Sequence, residues 1–191
     1  MVLIWKNYVS LLLKSSLKYQ IEKNYLFMLK KYSYDYSNFQ LFSLVLLRVV
    51  IGWYFLYEGL AKVLTPGWTS YGFIMDSQGL FAVVFKSLGQ NQTLMTFIDL
   101  INIYGLILIG LSLILGLFEK AGYIGAIILL ALYYLSHPAS INTTYLLPPE
   151  GSYMWINKNI VMLCAVIVLI VFPSAKRIGL DRFIFKKKND N

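Results

Sequence analysis

Residues 41–63 read LFSLVLLRVVIGWYFLYEGLAKV, and this run decides the fold. It is long enough to cross the hydrocarbon core of a bilayer, which takes about 20 mainly apolar residues in a helix. Yet it carries Arg48, Glu58 and Lys62. At helical spacing Arg48, Gly52, Phe55, Glu58, Gly59 and Lys62 share one third of the cylinder. An ionised side chain at the centre of a span costs roughly 2.5–3.5 kcal/mol on insertion scales. That face must therefore turn toward other helices and leave the rest to lipid.

The remainder of the chain supplies those helices. Of 191 residues 58% are apolar and 14% charged, against roughly 25% charged in a soluble domain. Close-packed interiors have no room for such an excess in water, and low hydrophobicity, the signature of disorder, is lacking. Three further spans are predicted: Thr93 to Phe118, Ala121 to Ser136, and Ile160 to Phe172. The last reaches across only if Trp155, Ile156 and the Asn157-Lys158-Asn159 triplet join it. Pro66-Gly67 and Pro138 stand as stop signals after the first and third spans. Phe118, Glu119 and Lys120 leave a tight link between the second and third, which makes these antiparallel neighbours.

Charge sets the orientation. Twelve of the 17 basic residues lie before the first span or after the last, whereas Lys86 is alone in the loop from Leu64 to Gln92. The positive-inside rule then puts both termini in the cytoplasm of a cell (inner or plasma) membrane. Anionic headgroups account for the net charge of +8, so no nucleic acid is expected as a partner. Residues 1–38 mix Lys with Leu, Ile, Tyr and Trp5 and lack a secretory cleavage pattern. They read as an amphipathic interfacial helix, with a partly disordered basic tail as the alternative. In the loop, Trp68 and Tyr71 suit the headgroup layer, and Leu80 to Leu88 form a short surface helix. The expected fold is all-α: a polytopic four-transmembrane-helix bundle over residues 39–182, between the N-terminal segment 1–38 and a basic tail, 183–191.

The ionisable residues inside the spans are the candidate site. Glu58 and Lys62 stand four apart in the favourable order for a pair, and Asp99 enters the second span at much the same depth, with Asn102 one turn further in. His137, Asn157 and Lys158 lie at the mouth. Glu58 and Asp99 are the candidate proton carriers. Arg48, Lys62, Asn102, Trp53, His137 and Lys158 complete the expected pocket for quinone or small substrate. Arg48 lies about 15 Å of helix rise from Glu58 and looks instead to Asp181 or an open carbonyl. Plainer readings stand beside these: Lys62 and Asp99 as snorkelling or capping groups, His137 as an interfacial loop residue, Cys164 as a small packing residue. Gly105, Ser112, Gly116, Gly122, Gly125 and Ala126 let helices approach. One cysteine and one histidine cannot assemble an intramolecular disulfide, a zinc site, or a haem or iron–sulfur ligand set, so no metal is expected.

The run from Arg48 to Lys62 resembles the first-helix signature of the DoxX/DoxD membrane proteins. The register of Arg48, Gly52, Gly59 and Lys62 carries the likeness, together with YGLILIGLSLILG from Tyr104 to Gly116. Trp68-Thr-Ser, Asn157-Lys158-Asn159-Ile and Gly179-Leu-Asp181-Arg182 look like the DoxD-type branch. The resemblance covers about residues 40 to 182 and implies a four-helix membrane bundle. It also implies a membrane subunit of a redox complex, such as a thiosulfate:quinone oxidoreductase, with a membrane quinone as acceptor and a second subunit or another copy of the chain as partner. Quinone reduction needs donors and a proton route, which Glu58 with Lys62 and Asp99 with Asn102 could supply. Trp53, Tyr54 and Phe55 could pack on the ring, and Lys62, Lys158 and Arg48 could attract a thiosulfate dianion. Other relatives act as anchors, chaperones or cargo receptors, so a noncatalytic scaffold is the alternative function; a small transporter is weaker, because neither half of the chain repeats the other.

Overall fold

The computed structural model describes residues 36–139, Tyr145 and residues 152–184. The expected N-terminal amphipathic helix lies outside the described residues, as do residues 185–191 of the basic tail. The described chain is mostly helical: α1 Asn38–Leu64, α2 Tyr71–Met75, α3 Ala82–Gly89, α4 Gln92–Leu115, α5 Glu119–Ser136, a hairpin of β1 Ser152–Tyr153 and β2 Ile156–Asn157, α6 Lys158–Val171 and α7 Asp181–Ile184. In the hairpin Ser152 faces Asn157 and Tyr153 faces Ile156.

Helix ends follow local chemistry. The Asn91 side chain accepts hydrogen bonds from Thr93 N and Leu94 N and so caps α4. Gly116, at φ +62°, closes the same helix in the left-handed conformation that a Cβ would resist. Asn157 caps α6 by accepting from Ile160 N at 3.2 Å. That cap corrects one expectation: Trp155, Ile156 and Asn157 belong to the hairpin, and only Lys158 and Asn159 of the polar triplet are helical. Helix α6 therefore keeps 14 residues, about 21 Å of rise. Glu119 likewise leaves the link and opens α5.

Helices α1 and α4 are long and apolar enough to cross a membrane. Only 22% and 28% of their most apolar windows is buried within the chain, so their apolar surface faces outward. On α1 the outward stripe is Phe39, Phe42, Leu46, Val50, Trp53, Tyr57, Leu60 and Leu64, all exposed. The opposite stripe, Arg48, Ile51, Gly52, Phe55 and Gly59, is buried. Helix α1 packs most extensively along α4, α4 on α5, α5 on α6, and α6 also touches α1. Phe55, Leu106, Leu113, Tyr123, Ala126, Leu130, Val166 and Leu169 form the heart of the core.

Glycines set the spacing of α1 and α4. A Cβ on Gly110 would stand 2.5 Å from Leu56 N, and one on Gly52 3.0 Å from Ile114 N. Gly59 meets Ile107 N the same way, at 3.0 Å. The small residues expected to matter do so unevenly: Gly122 lies against Ser112, but Gly105 has only Leu129 Cδ1, at 3.9 Å. Cys164, expected in the packing, is exposed.

The end of the molecule at Arg48 is closed by an ionic knot. Arg48 and Glu119 are 2% and 3% exposed and 3.4 Å apart. Arg48 also donates to Ser174 Oγ at 3.0 Å and to the Ile178 carbonyl at 2.8 Å. Glu119 accepts from Tyr123 Oη at 2.6 Å, Ser174 N at 3.2 Å and Ala175 N at 3.0 Å. Asp181, expected as a partner of Arg48, instead caps α5 by accepting from Phe118 N and Glu119 N at 2.8 and 3.1 Å. Leu180 N and Asp181 N donate to the last carbonyls of α4, Leu115 O and Gly116 O. Three remote stretches are thereby tied to one buried ion pair.

Two outcomes follow for stability in mild detergent. Gly110→Ala should cost about 1–3 kcal/mol through overpacking, while Gly105→Ala should be close to neutral; equal thermal shifts for the two would contradict the backbone approach. Arg48→Met should cost about 3–5 kcal/mol by stranding a buried carboxylate, and adding Glu119→Gln should restore part of the loss in a double-mutant cycle.

Candidate functional site

The other end of α1 carries a different kind of polar cluster. Lys62, in the last turn of α1, donates to Asn102 Oδ1 at 2.7 Å. Its ammonium also lies 4.9 Å from the Trp68 ring centroid and 5.7 Å from that of Tyr133, within the range of cation–π attraction. Asn102 passes the contact on, donating through Nδ2 to Tyr133 Oη at 2.7 Å. A phenol has one proton and two lone pairs. With Asn102 occupying a lone pair, the Tyr133 proton has no acceptor among the described residues.

Asp99 is half-buried and does a separate job. Its Oδ1 accepts from Ser70 N at 2.8 Å and from Ser70 Oγ, which fastens the start of α2 onto α4. The expected Glu58–Lys62 pair does not form a contact: Lys62 turns to Asn102, and Glu58 makes no hydrogen bond among the described residues. Glu58 still acts on Lys62 and on Tyr133 through its charge. Glu58, Lys62, Asp99 and Asn102 are thus neighbours, joined by Ser70, Trp68 and Tyr133.

The other expected members are placed differently. Arg48 is consumed by the knot at the opposite end and is remote from this cluster. Trp53 is 60% exposed on the outward stripe, because it stands one position past Gly52 and so turns off the buried face. Phe55 is fully buried in the core. Lys158 places its ammonium 4.7 Å from the Tyr54 ring centroid. His137 is the C-cap of α5, with Nδ1 3.1 Å from Ser136 Oγ and Nε2 3.7 Å from Asp76 Oδ2. Burial holds its pKa below the ordinary imidazole value, with the Asp76 charge opposing.

Beside Asn102 and Tyr133 lies a cavity of about 220 Å³ between α2, α3, α4 and α5. Phe73, Ile74, Phe85, Leu88, Ile98, Ile101, Leu129 and Leu132 form its apolar wall, and Ser70, Asn102, Tyr133 and Ser136 are its polar members. No charged side chain lines it. Ile101 and Leu132 also belong to the exposed surface, so this wall is continuous with the apolar exterior. Such a site favours a neutral molecule with an apolar body and an oxygen to accept a proton or hydrogen bond. A dianion would lose its hydration there without a compensating charge.

Tyr133 and Ser70 were not foreseen from the sequence. Tyr133 is one of 15 tyrosines, and its place one turn before His137 is the only hint of a polar edge on α5. Among the described residues no group of three or more His, Cys, Asp or Glu could hold a metal ion.

Comparison with known proteins gives one result. The sequence model of a family described as DoxX matches residues 43–138, from within α1 to just past the end of α5. No curated protein and no solved structure matches the chain. The match spans half of the sequence and contains Lys62, Asp99, Asn102, Tyr133 and His137, and together with the two apolar helices it identifies a membrane protein that belongs to the DoxX family.

Proposed function

We propose that this DoxX protein crosses the membrane four times, through α1, α4, α5 and, completed by the extended β2 residues before it, the 14-residue α6, with both termini in the cytoplasm, and serves as a membrane subunit that binds a quinone in the cavity beside Tyr133. The observation that carries the reading is the Lys62–Asn102–Tyr133 chain, which ends in an unused hydroxyl proton at an apolar chamber. Tyr133 would donate to a quinone oxygen, Asn102 would hold the phenol in place, and the Lys62 charge would favour negative charge as it develops nearby. Glu58, without a hydrogen-bond partner among the described residues but within electrostatic reach, is the group to resupply a proton. Asp99 is a positioning residue that holds α2 over the chamber. Quinone reduction consumes two electrons and two protons. The electrons would come from a sulfur substrate or partner subunit outside the neutral cavity, because the cavity offers a thiosulfate dianion no charge.

A noncatalytic scaffold is the second reading, and the engagement of Asp99 with Ser70 and of Lys62 with Asn102 favours it. The two separate on one preparation. Protein purified in mild detergent should retain quinone, detectable in an organic extract, and should bind a short-chain ubiquinone analogue. Tyr133→Phe should weaken that binding about 3- to 10-fold, the usual worth of one hydrogen bond, and Leu129→Trp should fill the chamber and abolish it. Absence of quinone from the extract, with no binding of the analogue, would establish the scaffold reading instead.

A further inference from the structure

Helices α4 and α5 meet along a seam whose fit changes from one end to the other. Toward the ionic knot, a Cβ on Gly122 would stand 2.5 Å from Ser112 Oγ, and one on Gly125 3.1 Å from Ile109 Cδ1. These glycines let the helices touch. One turn nearer the cavity the seam opens. A Cβ on Gly105 would meet only Leu129 Cδ1, at 3.9 Å, among the described residues, so close helix approach does not account for this glycine. Another turn on, Asn102 Nδ2 donates to Tyr133 Oη at 2.7 Å and joins the helices again. The residues beside that bond, Ile101 on α4 and Leu132 on α5, line the cavity and are also 68% and 44% exposed. Leu129 lines the cavity as well. The open side of the chamber therefore runs directly into the shallow notch that Gly105 leaves in the apolar surface.

We infer that the ligand of the chamber is a neutral single-chain amphiphile, whose oxygen-bearing head lies beside Tyr133 and whose alkyl or prenyl chain leaves between Ile101 and Leu132 and lies over Gly105. Size separates the two parts. At about 220 Å³ the chamber is smaller than the roughly 300–1,000 Å³ of pockets that bury a drug-sized ligand, so it holds a ring but not a long chain. The surroundings set the path. Tyr104 and Leu108, 58% and 66% exposed, flank Gly105 on the apolar exterior, and Gly105 stands near the middle of α4, Gln92–Leu115. A chain over Gly105 stays at the depth of hydrocarbon, whereas one turned the other way would run toward the polar start of the helix at Asn91 and Gln92. Inside a bilayer a chain gains nothing by leaving water, and what holds it in the notch is van der Waals packing against fixed walls. The inference rests on the chamber being the binding site proposed above, and adds the chain and its path.

Photolabelling tests the path without any quinone. A long-chain alcohol carrying a diazirine midway along its chain, added to the purified protein in mild detergent, should label Leu129 and the turn around Gly105 well above the remaining exposed surface of α4 and α5. Gly105→Phe should cut that labelling several-fold, with Gly105→Leu as the smaller block should the larger ring disturb the bundle. Gly105→Ala, whose methyl fits, should leave it unchanged. A second measurement reads the chain on the quinone itself. The tail-less ubiquinone ring should bind wild type and Gly105→Phe alike, while its decyl derivative should bind the variant about 3- to 10-fold more weakly, the scale of lost packing alone. Labelling spread evenly over the surface, labelling equal in wild type and both blocked variants, or equal losses for ring and decyl derivative would overturn the notch. Loss of ring binding in the wild type with notch labelling intact would instead remove the quinone reading and leave the chain's path standing.

Discussion

Helix α1 carries Arg48, Glu58 and Lys62 along one side of an otherwise apolar rod, and hydrocarbon cannot solvate them. Every other feature of the fold is an answer to that constraint. The rod must lie close against a neighbour on its polar side and expose only carbon on the other. Gly52 and Gly59 on α1, with Gly110 on α4, bring the two backbones near enough to do so. Phe39 through Leu64 then turn outward in a stripe of helical period. Without the hydrophobic effect to drive helices together inside a bilayer, this close packing and the polar contacts it permits must supply the association.

The two ends of α1 meet the constraint by opposite means. At Arg48 the solution is near saturation: a buried guanidinium faces a buried carboxylate, and Ser174, Tyr123, the Ile178 carbonyl and two backbone amides fill most of the remaining capacity, leaving Arg48 Nε without a partner among the described residues. An arrangement of that kind fixes geometry and offers little to a ligand. At Lys62 the solution is partial. Among the described residues the ammonium is steadied by one amide oxygen and two aromatic faces, Glu58 is left without a hydrogen bond, and the chain of contacts stops at a phenol with its proton unspent. The difference between a nearly closed network and an open one separates the end of the molecule that fixes geometry from the end that keeps hydrogen-bonding capacity to spare.

How much of this could be read beforehand depends on whether the signal was local. The α1 stripe is a property of spacing within one helix, and its inward face was legible, as were the boundaries of α1 and α4 to within a few residues. Glu119 was not, because it looked like one residue of a polar link, and apart from Tyr123 its partners lie 55 to 71 positions away. Fitting Glu58 to Lys62 by their four-residue spacing failed for a related reason: an i,i+4 pair is worth only a few tenths of a kcal/mol, less than a charge-assisted 2.7 Å contact to Asn102 on another helix. The hairpin at Ser152–Asn157 was missed because Met154 and Trp155, at φ +45° and +77°, occupy turn positions that ordinarily call for Gly or Asn. Trp155 is held there by tertiary bonds, N to Ala139 O at 2.8 Å and O from Tyr134 Oη at 3.0 Å, which no local pattern announces.

The division between charged and neutral groups around the cavity bears on what kind of molecule it can accept. Glu58, Lys62 and Asp99 are not part of the lining; Lys62 and Asp99 act one step back, through Asn102 and Ser70, which are. A ligand in the chamber would therefore meet dipoles whose orientation is fixed by charges it never touches. For a neutral molecule this is favourable on both counts, because little hydration is lost on leaving the bilayer and the donors are already aimed. For an anion the same design fails, since a charge set back behind an amide cannot replace a hydration shell. If Lys62 had reached the wall directly, attraction of an anionic substrate would have been the natural reading. Placed behind Asn102, it is better suited to orienting that amide than to holding an anion.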